Sequence, residues 1–167
     1  MIYEEVFRTL QKNKIRYVVL GGMAVNFHHI VRMTADLDLI VQLEDGENVR
    51  RFVIALGKLG YRPRVPVNPV DFADPQKRKQ WREEKGAKVF TFVLPNSYEQ
   101  LDVFIHNPIS FLQLYKRRKK MRFGNLVIPV ASLKDLKTLK KLANREKDLY
   151  DIQHIERMEK LNREKQR

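Results

Sequence analysis

The chain has no cysteine. That excludes disulfides and thiolate metal sites, and it fits a reducing cytoplasm. No apolar run reaches the roughly 20 residues of a membrane-spanning helix, so no membrane partner is expected. The first residues, MIYEEVFRTLQKN, are acidic early and amphipathic, which does not match a signal peptide. There is no glycine-serine linker, internal repeat or low-complexity segment. A Walker loop, a zinc-ligand spacing and a Ser/His/Asp order are also missing, and Ser97, Ser110 and Ser132 read as turn or cap residues. Acidic residues are comparatively scarce: 20 Asp and Glu face 33 Lys and Arg, for a net charge of +13. A field of that sign attracts polyanions, so nucleic acid, nucleotides and an acidic protein are the candidate partners. A balanced Lys/Glu surface of the heat-adapted kind would not carry such an excess.

A hydrophobic content of 43% in 167 residues supports a real core, in one domain or one domain plus a helical extension. The chain is organised around residues 17–41, YVVLGGMAVNFHHIVRMTADLDLIV. The stretch reads as a buried strand, a Gly21-Gly22 turn opening a short helix, a loop, and a second strand over 36–42. Glycine permits close backbone approach to a ligand, and free N–H groups at a helix start favour phosphate. Strand side chains alternate faces, so Asp36 and Asp38 point one way while Leu37 and Leu39 point into the core. Two carboxylates on one face repel unless a cation lies between them or one is protonated. Hard divalent ions take such oxygen ligands. Arg32 and Thr34 precede the pair in the same alternating phase.

Around this centre, the spacing of Val6, Phe7 and Leu10 predicts an amphipathic helix over 2–13. His28 and His29 sit at the end of the helix after the glycines, where a histidine pair fits a base or a metal but reads first as half-exposed terminal side chains. Val49, Phe52, Val53 and Leu56 predict a helix over 46–59, stopped by Gly60. Residues 61–70 hold three prolines and read as irregular or as an edge strand. A charged helix follows over 76–85, with Trp81 as its anchor; it is either solvated or a basic lip over the site. Alternation predicts strands over 88–94 and 99–105, a hairpin. Asp102 lies in the second, between Leu101 and Val103, where a lone acid is costly unless paired or bound to a cation. A helix begins near 108, the basic run KRRKKMR occupies 116–122, and a short strand over 126–130 pairs with 119–123. Ser132 caps a helix over 133–143, Asn144-Arg145 interrupts it, and 147–164 continues helical. On an unbroken helix Lys137, Lys140, Lys141, Asn144, Asp148 and Asp151 would share one face.

The glycine pair followed about 14 residues later by Asp-x-Asp resembles the signature of the nucleotidyltransferase (polymerase-beta-like) superfamily. R-M-T-A-D-L-D-L resembles the R-x-T-x-D-hydrophobic-D of its small AbiEii-like, toxin-type members. Their C-terminal K…R-x-K-D-hydrophobic-x-D motif is matched by Lys140, Arg145, Lys147, Asp148 and Asp151. The resemblance covers roughly residues 15–155. It implies an α/β (α+β) fold: a small mixed, twisted sheet flanked by helices, with a catalytic core over 1–130 and a C-terminal helical segment over 131–167 packed on it. It implies an enzyme moving a nucleoside monophosphate from a nucleoside triphosphate such as ATP to a hydroxyl acceptor, with two Mg²⁺ ions (or Mn²⁺) held by Asp36, Asp38 and Asp102. Asp102 would also help deprotonate the acceptor. Gly21, Gly22, Arg32, Thr34, Lys137, Lys140, Lys147, Asp148 and Asp151 would bind nucleotide, Lys140 by contacting triphosphate oxygens. Many members have serine where this chain has Gly22, so that hydroxyl is absent. The implied partners are RNA (tRNA included) or an acidic antitoxin protein. The alternative is a non-catalytic module of the same fold that binds RNA or an acidic partner.

Overall fold

The structure is a computed structural model; it describes residues 2–164, apart from the side chains of Lys147 and Asn162. In chain order the elements are α1 Glu4–Lys12, β1 Tyr17–Leu20, α2 Gly21–Phe27, β2 Leu37–Val41, α3 Gly46–Lys58, β3 Arg62–Pro63, a 3₁₀ turn Pro69–Ala73, α4 Pro75–Lys85, β4 Val89–Val93, β5 Gln100–Phe104, α5 Phe111–Arg117, β6 Lys119–Phe123, β7 Leu126–Val130, α6 Leu133–Ala143 and α7 Glu146–Glu164. All the strands join one sheet in the order β3-β4-β5-β2-β1-β7-β6. It is mixed: β1 runs antiparallel to β2 but parallel to β7, and β2 runs parallel to β5.

Position in the sheet explains each strand's composition. All four residues of β1 are buried, because strands flank it on both edges and α2 and α5 pack against it. β4 and β5 alternate instead. Phe90, Phe92, Leu101 and Val103 are buried, while Thr91 and Asp102 share the other face. β3 is a two-residue edge strand, as its prolines require. The opposite edge, β6, is largely exposed and mostly basic.

The helices pack where their apolar periodicity points. Val6, Phe7 and Leu10 of α1 are buried, as are Val49, Phe52, Val53 and Leu56 of α3. Each such side chain contributes about 1.5–3 kcal/mol of burial. Asp45 caps α3 by accepting the Asn48 N–H at 3.0 Å. Trp81 anchors α4 by stacking on Phe90, with ring centroids 5.0 Å apart. His28, expected half-exposed, is buried: Nε2 faces the Ala131 carbonyl at 2.8 Å, and burial lowers its pKa, so the ring is neutral and donates there.

The C-terminal helices do not form one straight rod. Asn144 adopts φ +48°, ending α6, and α7 folds back along it. The break expected at Asn144-Arg145 is therefore present, and the charged residues line a seam between two helices. Among the described residues, no helix is long and apolar enough to cross a membrane.

Candidate active site

Parallel pairing of β2 with β5 sets Asp38 in register with Asp102. Neighbouring strands lie about 4.8 Å apart, so the two carboxyls leave the sheet side by side. Antiparallel pairing sets Leu20 opposite Asp38, which brings the following glycine onto the same carboxyl. A Cβ on Gly21 would stand 1.8 Å from Asp38 Oδ2, and Gly21 has φ +62°. Both facts require glycine. A Cβ on Gly22 would lie 2.7 Å from an Arg32 guanidinium nitrogen and 2.7 Å from Thr34 Oγ1. Gly21, Gly22, Arg32, Thr34, Asp38 and Asp102 are thus brought together, although they come from three separate segments.

Asp36 is placed differently from the expectation. β2 begins at Leu37, so Asp36 lies just outside it, in the preceding loop, and is exposed. Its charge still reaches Asp38. Burial first, then the charges of Asp102 and Asp36, push the Asp38 carboxyl up to about 6, while Arg145 and Lys140 pull it back. Among the described residues, none donates a hydrogen bond to Asp38. Asp102 is held firmly by Thr91 Oγ1, which donates at 2.6 Å, and by Gln100 Nε2, at 3.1 and 3.2 Å from its oxygens. Among the described residues, no three His, Cys, Asp or Glu side chains form a closed metal-holding group. Asp38 and Asp102 make a two-carboxylate platform, and Asp36 sits two residues before Asp38, in the loop that leads into β2.

The C-terminal motif reaches this platform through buried charge. Lys140, Asp148 and Asp151 are all buried. Lys140 Nζ pairs with Asp151 and lies 3.5 Å from Asp148. Asp151 also pairs with Arg32 at 3.1 Å, and Asp148 with Arg145 at 2.7 Å. Burial raises the Asp148 carboxyl, but Arg145 and Lys140 more than offset this, so the net shift is downward. Lys140, Arg32 and Arg145 are thus all paired with Asp148 or Asp151, and the charges of Arg145 and Lys140 are the ones that reach Asp38. Lys137 lies farther along the seam, paired with Glu159 at 2.6 Å. The expectation for Lys147 falls on a side chain outside the described residues.

Two positioning residues escaped the sequence reading. The Tyr3 hydroxyl lies 2.6 Å from the Ala35 carbonyl and 2.9 Å from that of Gln100, and it accepts the Gln100 N–H at 2.9 Å. It staples the approach to β2 onto the start of β5, fixing the spacing of the acids. Burial, aided by Glu99, Asp36 and Asp102, pushes this hydroxyl up to about 12 against the Gln100 backbone hydrogen bond, so it stays a donor. Asn26 clamps the Arg32 backbone with both ends of its amide, each at 2.9 Å. A polar tip at the head of an apolar helix face, and an amide inside the apolar run GGMAVNF, were the available signals.

Compared by sequence, the chain matches no family model and no curated protein. Solved structures do match. A Thermotoga maritima protein designated a nucleotidyltransferase superposes with a TM-score of 0.55 at 14% identity, over 98% of this chain and 91% of its own. The lincosamide antibiotic adenylyltransferase LnuA, solved with lincomycin, gives 0.59 at 16% identity, over 93% and 96%. ANT(2")-Ia, solved with adenylyl-2"-tobramycin, gives 0.58 at 11% identity, over 99% and 97%. The chain has the nucleotidyltransferase fold. Near-complete coverage in both directions means that the fold includes α6 and α7 as well as the sheet. In nucleotidyltransferase-fold terms, the glycine turn, the β2–β5 carboxylates and the charged α6–α7 seam meet at one end of β1.

Proposed function

We propose that this nucleotidyltransferase-fold chain is a metal-dependent enzyme that transfers a nucleoside monophosphate from a nucleoside triphosphate to a hydroxyl acceptor. The observation that carries this reading is the Asp38–Asp102 register pair with the Gly21 backbone against Asp38. The donor set fits a hard divalent cation: carboxylate oxygens, one raised by burial and by its neighbours' charge and without a hydrogen-bond donor among the described residues. Asp38 and Asp102, joined by the exposed Asp36, would hold Mg²⁺ (two ions, or Mn²⁺), whose chemistry is to neutralise triphosphate charge and acidify the acceptor hydroxyl. Gly21 and Gly22 let the triphosphate approach the backbone closely. Arg32 and Arg145 meet its oxygens, with Lys140, Asp148 and Asp151 as the braces that aim them. The acceptor oxygen attacks the α-phosphorus and forms the new P–O bond. The bond to the oxygen bridging the β-phosphate breaks, and pyrophosphate leaves. Asp102, oriented by Thr91 and Gln100, takes the hydroxyl proton.

ATP is the first donor to try, because two of the matched proteins are described by adenylyl transfer or its product. The acceptor is an RNA end, a protein hydroxyl or a small molecule, and the charge of +13 favours RNA. A toxin role opposite an acidic antitoxin, in the cytoplasm, extends the same reading. The test incubates the protein with each radiolabelled triphosphate, Mg²⁺ and total RNA. Label should move to an acceptor with wild type and EDTA should stop it; Asp38→Ala should lower it at least about 100-fold. The absence of a closed three-acid group among the described residues favours a second reading, a binding module without turnover. That reading prevails if wild type binds RNA yet shows neither Mg²⁺-dependent triphosphate binding nor transfer.

A further inference from the structure

A second built site lies at the other end of β1. Tyr17 opens that strand and Leu20 closes it beside Gly21, so the two ends stand about 10 Å apart along the backbone. At the Tyr17 end is a hollow of about 350 Å³ whose charged lining is Lys14, Arg16, Arg118 and Lys120, with no carboxylate. Among the described residues, none of these cations forms an ion pair. Tyr17 also lines the hollow; it is 2% exposed, and its hydroxyl has no hydrogen-bond partner among the described residues. A buried phenol O–H without an acceptor is costly, and an anionic oxygen in the hollow would satisfy it.

The ligand's class follows from the surroundings. β6 carries basic residues past the hollow: Lys120 pairs with Pro129 and Arg122 with Val127, and both β7 partners line it. Lys120 and Arg122 therefore share the hollow's face, and the basic strand extends about 16 Å, room for several phosphates of a strand. A single phosphate would use only one end of this track. The Tyr115 ring is already covered, by Phe111 at 5.3 Å between centroids and by the Arg118 guanidinium at 3.6 Å. No lining ring is left for base stacking, so contacts go to the backbone and carry no sequence preference.

We propose that the hollow and the adjoining β6 edge seat the phosphodiester backbone of a single-stranded RNA, apart from the Asp38–Asp102 site. Tyr17 donates to one phosphate oxygen, and Lys14, Arg16, Arg118, Lys120 and Arg122 neutralise its neighbours. The assay is fluorescence anisotropy of the full chain with a short labelled oligouridine and, in parallel, oligoadenosine, without nucleotide or divalent metal. Its outcome is thus independent of whether the chain transfers nucleotides. Lys14→Ala/Arg118→Ala/Lys120→Ala should weaken binding at least about tenfold and reduce the salt slope by about 2, at about 0.7 per phosphate contact. A control removing equal charge from exposed α4 positions, Lys77→Ala/Lys79→Ala/Lys85→Ala, should change affinity less than about twofold. Tyr17→Phe should weaken binding about threefold or more. The proposal is overturned if the two triple variants lose affinity equally, if Tyr17→Phe binds as wild type, or if oligouridine and oligoadenosine differ more than about tenfold. It is also overturned if inorganic phosphate, at matched ionic strength, displaces the RNA, because the hollow would then be a free-phosphate site.

Discussion

Replacing Gly21 with alanine should damage the protein by two separable routes. The first is backbone strain: an L-residue held at φ +62° costs about 1–2 kcal/mol. The second is contact. The new Cβ falls 1.8 Å from Asp38 Oδ2, 2.6 Å from its Cγ and 3.0 Å from its Cβ. Asp38 must leave its rotamer to clear it, adding about 0.5–1.5 kcal/mol and turning its carboxyl out of line with Asp102. Gly86 isolates the first route, since it has φ +61° and a methyl group there would meet nothing within 4 Å. Urea unfolding followed by circular dichroism should therefore show a loss of about 1–2 kcal/mol for Gly86→Ala and about 1.5–3.5 kcal/mol for Gly21→Ala. Mg²⁺-dependent binding of a fluorescent ATP analogue should survive Gly86→Ala and fall at least about tenfold in Gly21→Ala. Adding Asp38→Ala to Gly21→Ala removes the Oδ2 and Cγ overlaps and should recover about 1 kcal/mol, a non-additive gain. Equal losses at Gly21 and Gly86, with nucleotide binding intact in both, would refute the packing of Gly21 on Asp38.

Other outcomes follow from the charge distribution and the hydroxyl staple. Asp38 sits at about 6 in the fold against an ordinary 3.8, so its ionised form is the destabilising one; the penalty is full above about 6 and lifts as pH falls toward 3.8. In EDTA, Asp38→Asn should be more stable than wild type by about 3 kcal/mol near pH 7.5, with the difference nearly gone near pH 4; a pH-independent difference contradicts this. Asp151→Ala strands Arg32 and leaves Lys140 only its longer contact to Asp148, and should cost about 3–5 kcal/mol, whereas Lys137→Ala on the outer seam should cost less than about 1, both read from denaturant midpoints. Tyr3→Phe leaves the Gln100 N–H without its acceptor and should cost about 1–3 kcal/mol, with transfer activity falling while far-ultraviolet dichroism stays unchanged; normal activity would remove Tyr3 from the positioning residues.

Much of the architecture is legible one segment at a time. The alternation over 88–105 marks the β4–β5 hairpin, the three- and four-residue steps of Val49, Phe52, Val53 and Leu56 mark α3, and Asn144-Arg145 marks the break before α7. Local patterns suffice there because each element buries one face, and the period of that face is written in consecutive residues. They do not reveal which strands become neighbours. Nothing local says that β5 lies beside β2, the pairing that places Asp102 next to Asp38. Tyr3 bonding across to Gln100, and Asp151 reaching Arg32, are likewise invisible to any window of sequence.

The sequence by itself determined the acidic pair, the glycine turn, the basic excess and the order of helices and strands, because these depend on residue type and short-range spacing. Only the tertiary structure decided that Asp36 stays outside the strand and that Lys140, Arg32 and Arg145 all pair with the buried carboxylates Asp148 and Asp151. It also decided that a basic hollow forms beside Tyr17, whose buried hydroxyl has no hydrogen-bond partner among the described residues. Those outcomes depend on which groups share a low-dielectric interior, where a charge must find its opposite. That partner is chosen by the packing of distant segments rather than by neighbours along the chain.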